Sequence, residues 1–210
     1  NHSSTMISLK PKEIAIPKRK KILVFAPHPD DEVFGPGGTL YLLRKTCRIK
    51  IIYVTSGRNE EEQILREKEA NNLCDNFKFE RHFLRHQQNF FSLNKNTESQ
   101  IIKITRDYKP DIIFTPFFLD DNNDHQKVKK IFLKLNKFKR IKVWCYQIYS
   151  VIKGNYYVNI TNYNIQKRKM IRFYKSENKV RNWESWVMSM NVINSRFMPR
   201  SKKISYAEMF

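Results

Sequence analysis

Short apolar runs alternate with helical stretches along this chain, and that alternation restricts the fold more than any other feature. Ile22 to Ala26 is a first run of strand length, and Ile49 to Thr55 and Asp111 to Thr115 are two more. Their near-continuous apolar character predicts strands buried on both faces, as in a parallel sheet. Between them lie segments with helical spacing. Residues 60–75 carry Ala70, Leu73 and Cys74, with Phe77 completing the i, i+3, i+4, i+7 stripe. Thr97 to Tyr108 carries Ile101, Ile104 and Tyr108 on one face and stops before Lys109-Pro110, because a residue preceding proline disfavours the helical conformation. A further helix is marked by Val128, Ile131, Phe132 and Leu135. A weaker strand is expected at 79–84, further strands at 141–149 and 156–160, a helix at 164–174, and a polar tail beyond. Strands alternating with helices predict a mostly parallel, Rossmann-like α/β sheet with helices on both faces.

The 210 residues fit one domain, and 40% hydrophobic content supplies a core for it. Asn1 to Thr5 reads as a non-native remnant, which leaves 6–210 as the domain with Met6 as its first native residue. No apolar run approaches the ~20 residues of a membrane span. Cys47, Cys74 and Cys145 show no C-x-x-C spacing and are odd in number, so reduced thiols in a cytoplasmic protein are expected. Forty Lys and Arg against twenty Asp and Glu give a net charge of +20. Two accounts of it stay open: a Lys-, Ile- and Asn-rich genome, or an acidic ligand or surface. No nucleic-acid module accompanies the charge, so specific nucleic-acid recognition is not expected.

The chemistry is concentrated where the first strand ends. Ala26-Pro27-His28-Pro29-Asp30-Asp31-Glu32 packs a histidine and three carboxylates into a turn, with Gly37-Gly38 soon after. Open α/β sheets bind ligands at the carboxyl ends of their strands. The polar loop Asp120-Asp121-Asn122-Asn123-Asp124-His125 leaves the same edge after the strand ending at Thr115. His125 can therefore reach the crevice that holds His28 and Asp31. Three such ligands with a fourth position left for water describe a catalytic rather than a structural zinc. His82 and His86 lack neighbouring carboxylates and are not expected to bind metal.

The chain resembles the PIG-L or LmbE-like family, the de-N-acetylases of N-acetylglucosaminyl-phosphatidylinositol and their bacterial relatives. The first motif matches that family's A-H-P-D-D-E…G-G signature apart from the extra Pro27. Arg66-x-x-Glu69-Ala70, Lys109-Pro110-Asp111 with the following strand, Tyr174-Lys175-Ser176 and the closing Tyr206-Ala207-Glu208-Met209-Phe210 are similar to its other motifs, in the same order. The resemblance implies Zn²⁺ or another divalent metal held by His28, Asp31 and His125, with Asp30 as general base toward a water that the metal activates. It implies a contact between Arg66 and substrate, and a structural role for Glu32 in orienting the loop. The substrate it implies is an N-acetylated, GlcNAc-type sugar, an anionic one if the positive charge serves recognition; a homo-oligomer is compatible with it.

Departures from the family pattern accompany these matches. Asn122 stands where a second histidine would help stabilise the oxyanion, and an amide donates a hydrogen bond without carrying charge. Gln87-Gln88-Asn89 replaces an expected sugar-binding aspartate, and Gln147 and Asn159 replace acidic residues. Two alternatives follow: hydrolysis of a non-sugar amide at the same site, or a basic binding protein with little turnover.

Overall fold

The computed structural model describes residues 10–134, 141–199 and 205–210. A two-residue β1 (Lys12–Glu13) precedes β2 (Lys21–Ala26), β3 (Arg48–Gly57), β4 (Glu80–Gln87), β5 (Ile112–Pro116) and β6 (Lys142–Tyr146). The last five form one sheet in the order β4-β3-β2-β5-β6, and each neighbouring pair is parallel. Successive residues of β2 divide between two layers, as the period-2 pleat requires. Ile22, Val24 and Ala26 join the core that holds Leu40, Leu73 and Cys74. Leu23 and Phe25 join Ile101, Tyr108 and Val128 on the other face. Helices α1 (Asp31–Phe34), α2 (Gly37–Leu43) and α3 (Glu60–Phe77) follow β2 and β3, while α4 (Lys95–Tyr108) and α5 (Asn123–Lys134) flank β5.

The helix limits have local causes. Asn59 accepts a hydrogen bond from the Glu62 amide (2.9 Å) and Asn94 one from the Thr97 amide (2.9 Å), so each caps its helix by offering an oxygen to an orphan N–H. Lys78 and Lys109 close α3 and α4 in the left-handed conformation. The predicted stripe on α3 is inside: Ala70, Leu73 and Cys74 are fully buried. On α5 Val128 is buried; Leu135 and the side chains of Ile131 and Phe132 lie outside the described part.

Three expectations need correction. The expected strand at 156–160 does not extend the main sheet. It forms β7 (Tyr156–Asn159), parallel to β1 and antiparallel to β8 (Ala207–Met209), in a separate three-stranded sheet. There Tyr157 packs with Ile152, Ala207 and Met209, a small core of its own. The polar tail contains two helices after α6 (Asn164–Ile171), namely α7 (Lys175–Val180) and α8 (Trp183–Asn194). Trp183, Trp186, Val187 and Met190 have helical spacing that the surrounding Asn, Ser and Arg obscure. The strand expected at 141–149 ends at Tyr146, because beyond it the Gln147 amide turns toward the Met209 carbonyl and leaves the sheet.

The strand order places the site. The chain passes from β2 outward through β3 to β4, then crosses to β5 on the other side of β2. The point of reversal lies between the carboxyl ends of β2 and β5, where open α/β sheets form their ligand crevice. His28 leaves the first of these strands and His125 follows the second.

A buried His-Asp-His triangle as the candidate active site

The turn after β2 is fixed by its own carboxylates. Asp31 Oδ2 accepts a hydrogen bond from the His28 amide (2.8 Å), and Glu32 Oε2 accepts one from the Asp30 amide (3.1 Å). Glu32 is itself clamped by the hydroxyls of Tyr53 (3.1 Å) and Tyr174. Burial is the main influence raising its pKa, to about 7, against the lowering effect of these hydrogen bonds. Between these anchors Asp30 adopts φ 131°, a conformation that costs a non-glycine residue on the order of 1–3 kcal/mol and concentrates at functional sites.

His125 sits in the first turn of α5 and completes the constellation. His28 Nδ1, Asp31 Oδ2 and His125 Nε2 are 3.2 Å apart along every edge of the triangle they form, and all three residues are buried. Ligands about 2.0–2.1 Å from a tetrahedral zinc are spaced ~3.3 Å from each other, so the triangle has the dimensions such an ion needs. The outer nitrogens face carboxylates: His28 Nε2 is within hydrogen-bond distance of Asp124 Oδ2 (3.4 Å), and His125 Nδ1 lies 3.0 Å from Asp120 Oδ1 as a charge contact without hydrogen-bond alignment. Carboxylates on the far side fix imidazole orientation and tautomer and point the free lone pairs inward. Asp31 Oδ1 remains buried without a hydrogen-bond partner. The donor set therefore fits a divalent cation with nitrogen and oxygen ligands.

Carboxylates dominate the electrostatics of the triangle, and a metal held there would take the place of the proton on His125. Burial would lower the His125 pKa, but Asp31 and Asp120 outweigh it and raise the group to about 10. For Asp31 burial opposes ionisation, and His125 with His28 overcomes it, leaving the carboxyl well below its usual range. The pocket holds more negative than positive charge, a field that a cation relieves. Asp30 differs from its neighbour: burial pushes it well above the usual carboxylate range, Arg66 opposes this, and Asp31 and Glu177 add to it.

The structure brings His28, Asp30, Asp31 and His125 together. It places Arg66 on α3 with only 3% of its side chain exposed, 2.8 Å from Asp30 Oδ2 and 3.2 Å from Glu177 Oε1. It also donates to the Pro29 carbonyl (3.0 Å) and to Gln88 Oε1 (2.9 Å). The guanidinium thus faces the base candidate. Asn122 immediately precedes α5, and its Oδ1 accepts from the amides of Asp124 (2.8 Å) and His125 (3.4 Å). This acceptor role holds the turn that carries His125 and leaves Nδ2 as the side chain's donor.

Several residues around the site gave no separate signal in sequence. Asp120 was visible only as one of the acids in an acidic loop. Tyr149 stacks on His125 at 5.4 Å between ring centroids and donates its amide to Asp120 Oδ2 (3.3 Å). Asp124 accepts from the Asn89 amide (2.8 Å), which ties in the loop where the sugar-binding aspartate was expected. Glu177 comes from a helix that the polar tail concealed. His82 and His86 lie on β4, and among the described residues neither belongs to a group of three metal-ligating side chains.

A PIG-L family model, described as GlcNAc-PI de-N-acetylase, matches residues 23–136. No curated protein matches the chain. Among solved structures, the conserved protein TT1542 from Thermus thermophilus superposes with a TM-score of 0.78 at 19% identity, covering 91% of this chain and 93% of that one. The N,N'-diacetylchitobiose deacetylase of Pyrococcus horikoshii gives 0.75 at 21% identity over 91% and 82%. GalB, the 4-carboxy-2-hydroxymuconate hydratase of Pseudomonas putida KT2440, gives 0.76 at 16% identity over 90% and 94%. At these identities the superpositions establish the shared fold, while the family match spans more than half of the sequence and includes His28, Asp30, Asp31 and His125. The chain belongs to the PIG-L family.

Proposed function

We propose that this protein is a metal-dependent hydrolase that removes the N-acetyl group from a GlcNAc-type sugar. The observation that carries the reading is the 3.2 Å triangle of His28 Nδ1, Asp31 Oδ2 and His125 Nε2 beside Asp30, whose Oδ1 is buried without a hydrogen-bond partner. Zn²⁺ or a similar cation held there would, when bound, polarise the acetyl carbonyl and lower the pKa of a water to about 7. Asp30 is the proton acceptor. Its raised pKa lets it hold the proton and return it to the leaving amine. Arg66 keeps Oδ2 occupied, so the proton is taken at Oδ1. Asp120 holds the His125 ring, and the Nδ2 group of Asn122 is the donor for charge developing on the carbonyl oxygen.

The family's description and the deacetylase neighbour support the acetylated-sugar substrate. The segments leaving the strands around the site are rich in carboxylates, which favours a neutral sugar over an anionic one. The odd number and scattered spacing of Cys47, Cys74 and Cys145 favour a reducing compartment. No helix of the described residues is long and apolar enough to cross a membrane. A second reading has its own observation: GalB shares the fold and is a hydratase, so another bond could be the target of this site. Acetate release from N-acetylglucosamine, N,N'-diacetylchitobiose and nucleotide-linked GlcNAc, with the protein metal-loaded and chelated, separates the two. Metal-dependent release is expected; a fully loaded protein that releases no acetate from any of them would overturn the proposal.

A further inference from the structure

The +20 charge is distributed unevenly over this fold. In the five-stranded parallel sheet all strands begin at one edge and end at the other. The segments that lead into and open the strands (18–21, 44–50, 78–81, 103–111 and 141–142) hold fourteen Lys and Arg against three Asp and Glu. The segments that leave them (27–32, 58–62, 88–94, 117–125 and 147–153) hold nine Asp and Glu against two Lys and Arg. Lys127 and the cations of α7 move the second edge toward neutrality without making it positive. A lysine-rich genome raises cation content at both edges alike and cannot account for the separation.

The cationic segments are one contiguous face. Tyr108 donates to the Arg48 carbonyl (3.0 Å), and the ammonium groups of Lys21 and Lys50 lie 5.8 and 4.8 Å from the centre of its ring. Lys20 pairs with Asp111, and Glu80 pairs with both Arg48 and Lys50. These carboxylates neutralise only part of the face. Lys18, Arg19, Lys45, Lys78, Arg106 and Lys109 are exposed and have no carboxylate partner among the described residues. Helix dipoles explain some of the cations, since Arg44, Lys78 and Lys109 are C-caps. They do not explain Lys18 to Lys21, Arg48, Lys50 or Lys142, which belong to strands or to the arm before β2.

We propose that this amino-terminal edge docks the protein on an anionic bilayer, with the His28–Asp31–His125 site on the opposite edge and open to the aqueous phase. Five strands about 4.8 Å apart give the cationic row a width of roughly 20 Å, with a recess lined by Lys21, Arg48, Lys50 and Arg81 inside it. Flexible ammonium and guanidinium groups spread over that width can meet several anionic headgroups at once. Nucleic acid fits less well. The face presents helix carboxyl ends rather than the helix amino ends that receive phosphates. Its aromatic ring, Tyr108, is 7% exposed and covered by lysines, so it offers no stacking platform for single strands. Each cation near an anionic leaflet contributes on the order of 1 kcal/mol, and salt screens the attraction. The orientation also means that this surface presents no substrate to the site; a sugar must arrive from the water side.

Vesicle sedimentation tests the assignment, with phosphatidylcholine alone and with phosphatidylcholine containing about 30% phosphatidylserine, at about 0.05 M and 0.5 M salt. Binding to the anionic vesicles only, released at high salt, is expected. A variant with Lys18, Lys45, Arg106 and Lys109→Gln should bind about tenfold or more weakly. A control with Lys68, Lys153, Lys169 and Lys179→Gln loses the same charge from exposed positions elsewhere and should bind within about twofold of the parent. Equal weakening of the two variants would show a net-charge effect and overturn the docking face. So would absence of vesicle binding, or tighter binding to an RNA or DNA competitor that only the first variant loses.

Discussion

Arg66 and Asp30, 36 residues apart, form an ion pair of 2.8 Å in which both side chains are almost wholly buried. A buried cation beside the base candidate positions it and tunes it, because it lowers a pKa that burial raises. Arg66→Met should therefore reduce kcat strongly and leave KM nearly unchanged, with a stability loss of about 3–5 kcal/mol from the carboxylate left unpaired. Steady-state kinetics with a soluble acetylated sugar and urea unfolding measure the two effects. A rise in KM at constant kcat would instead put the guanidinium in contact with the sugar, as the family resemblance implies.

Asp120 meets His125 Nδ1 at 3.0 Å and also receives the Asn122 and Tyr149 amides. It restrains the ring that supplies one of the three proposed metal-ligand atoms. Asp120→Asn should lower metal affinity about 10–100-fold, the usual cost of losing a group that orients a ligand. Competition titration with a chromophoric chelator gives the number. Unchanged affinity would show that α5 alone sets the ring.

The extent to which the sequence disclosed this site follows from how local each part is. His28, Asp31 and the strand before them are contiguous, and a buried apolar run followed by charged residues is legible without a structure. His125 was reachable because parallel strands end at a common edge. The Asp120–His125 contact depends on one turn of backbone geometry, so Asp120 looked like any acid of a polar loop. Glu177 was hidden by the composition of residues 175–199, which masks the helical spacing of Trp183, Trp186, Val187 and Met190. Arg66 was visible as a motif residue, but its direction was not, since helical spacing does not say whether a long side chain turns toward solvent or inward. In the small sheet only β7 was legible, as the strand expected at 156–160, because β1 and β8 are two and three residues long and come from distant parts of the chain.

Asn122 combines two functions that one substitution can separate. Its Oδ1 caps α5 through the Asp124 and His125 amides, and its Nδ2 is the proposed oxyanion donor. Asn122→Asp keeps the cap and removes the donor. It should leave the unfolding midpoint unchanged and lower kcat by about 10²–10³. Asn122→Ala removes both and should add a stability loss of about 1 kcal/mol. Full kcat in the aspartate variant would reduce the residue to its capping role.

Another buried ion pair, Lys167 with Glu208 at 2.7 Å, ties β8 to the loop that carries the proposed metal ligands. Glu208 accepts from the Gly38 amide (2.7 Å), the Thr39 amide (2.7 Å) and the Thr39 hydroxyl (2.6 Å), which closes the amino end of α2. Gly38 permits this approach: a Cβ there would lie 2.8 Å from Ile160 Cγ2. Lys167 donates to the Phe34 (3.1 Å) and Gly35 (2.8 Å) carbonyls, which closes the carboxyl end of α1, the helix that begins at Asp31. Burial lowers the Lys167 pKa and Glu208 opposes that shift. Removing either partner strands the other, at about 3–5 kcal/mol, but the two losses should be unequal. In Lys167→Met the carboxylate retains three donors. In Glu208→Ala the ammonium keeps only carbonyls, and two helix amides lose their acceptor. Urea unfolding should therefore rank Glu208→Ala below Lys167→Met, with metal affinity falling in the same order because α1 carries the proposed ligand Asp31. Equal stabilities, or a reversed order, would mean that the lysine rather than the carboxylate organises this junction.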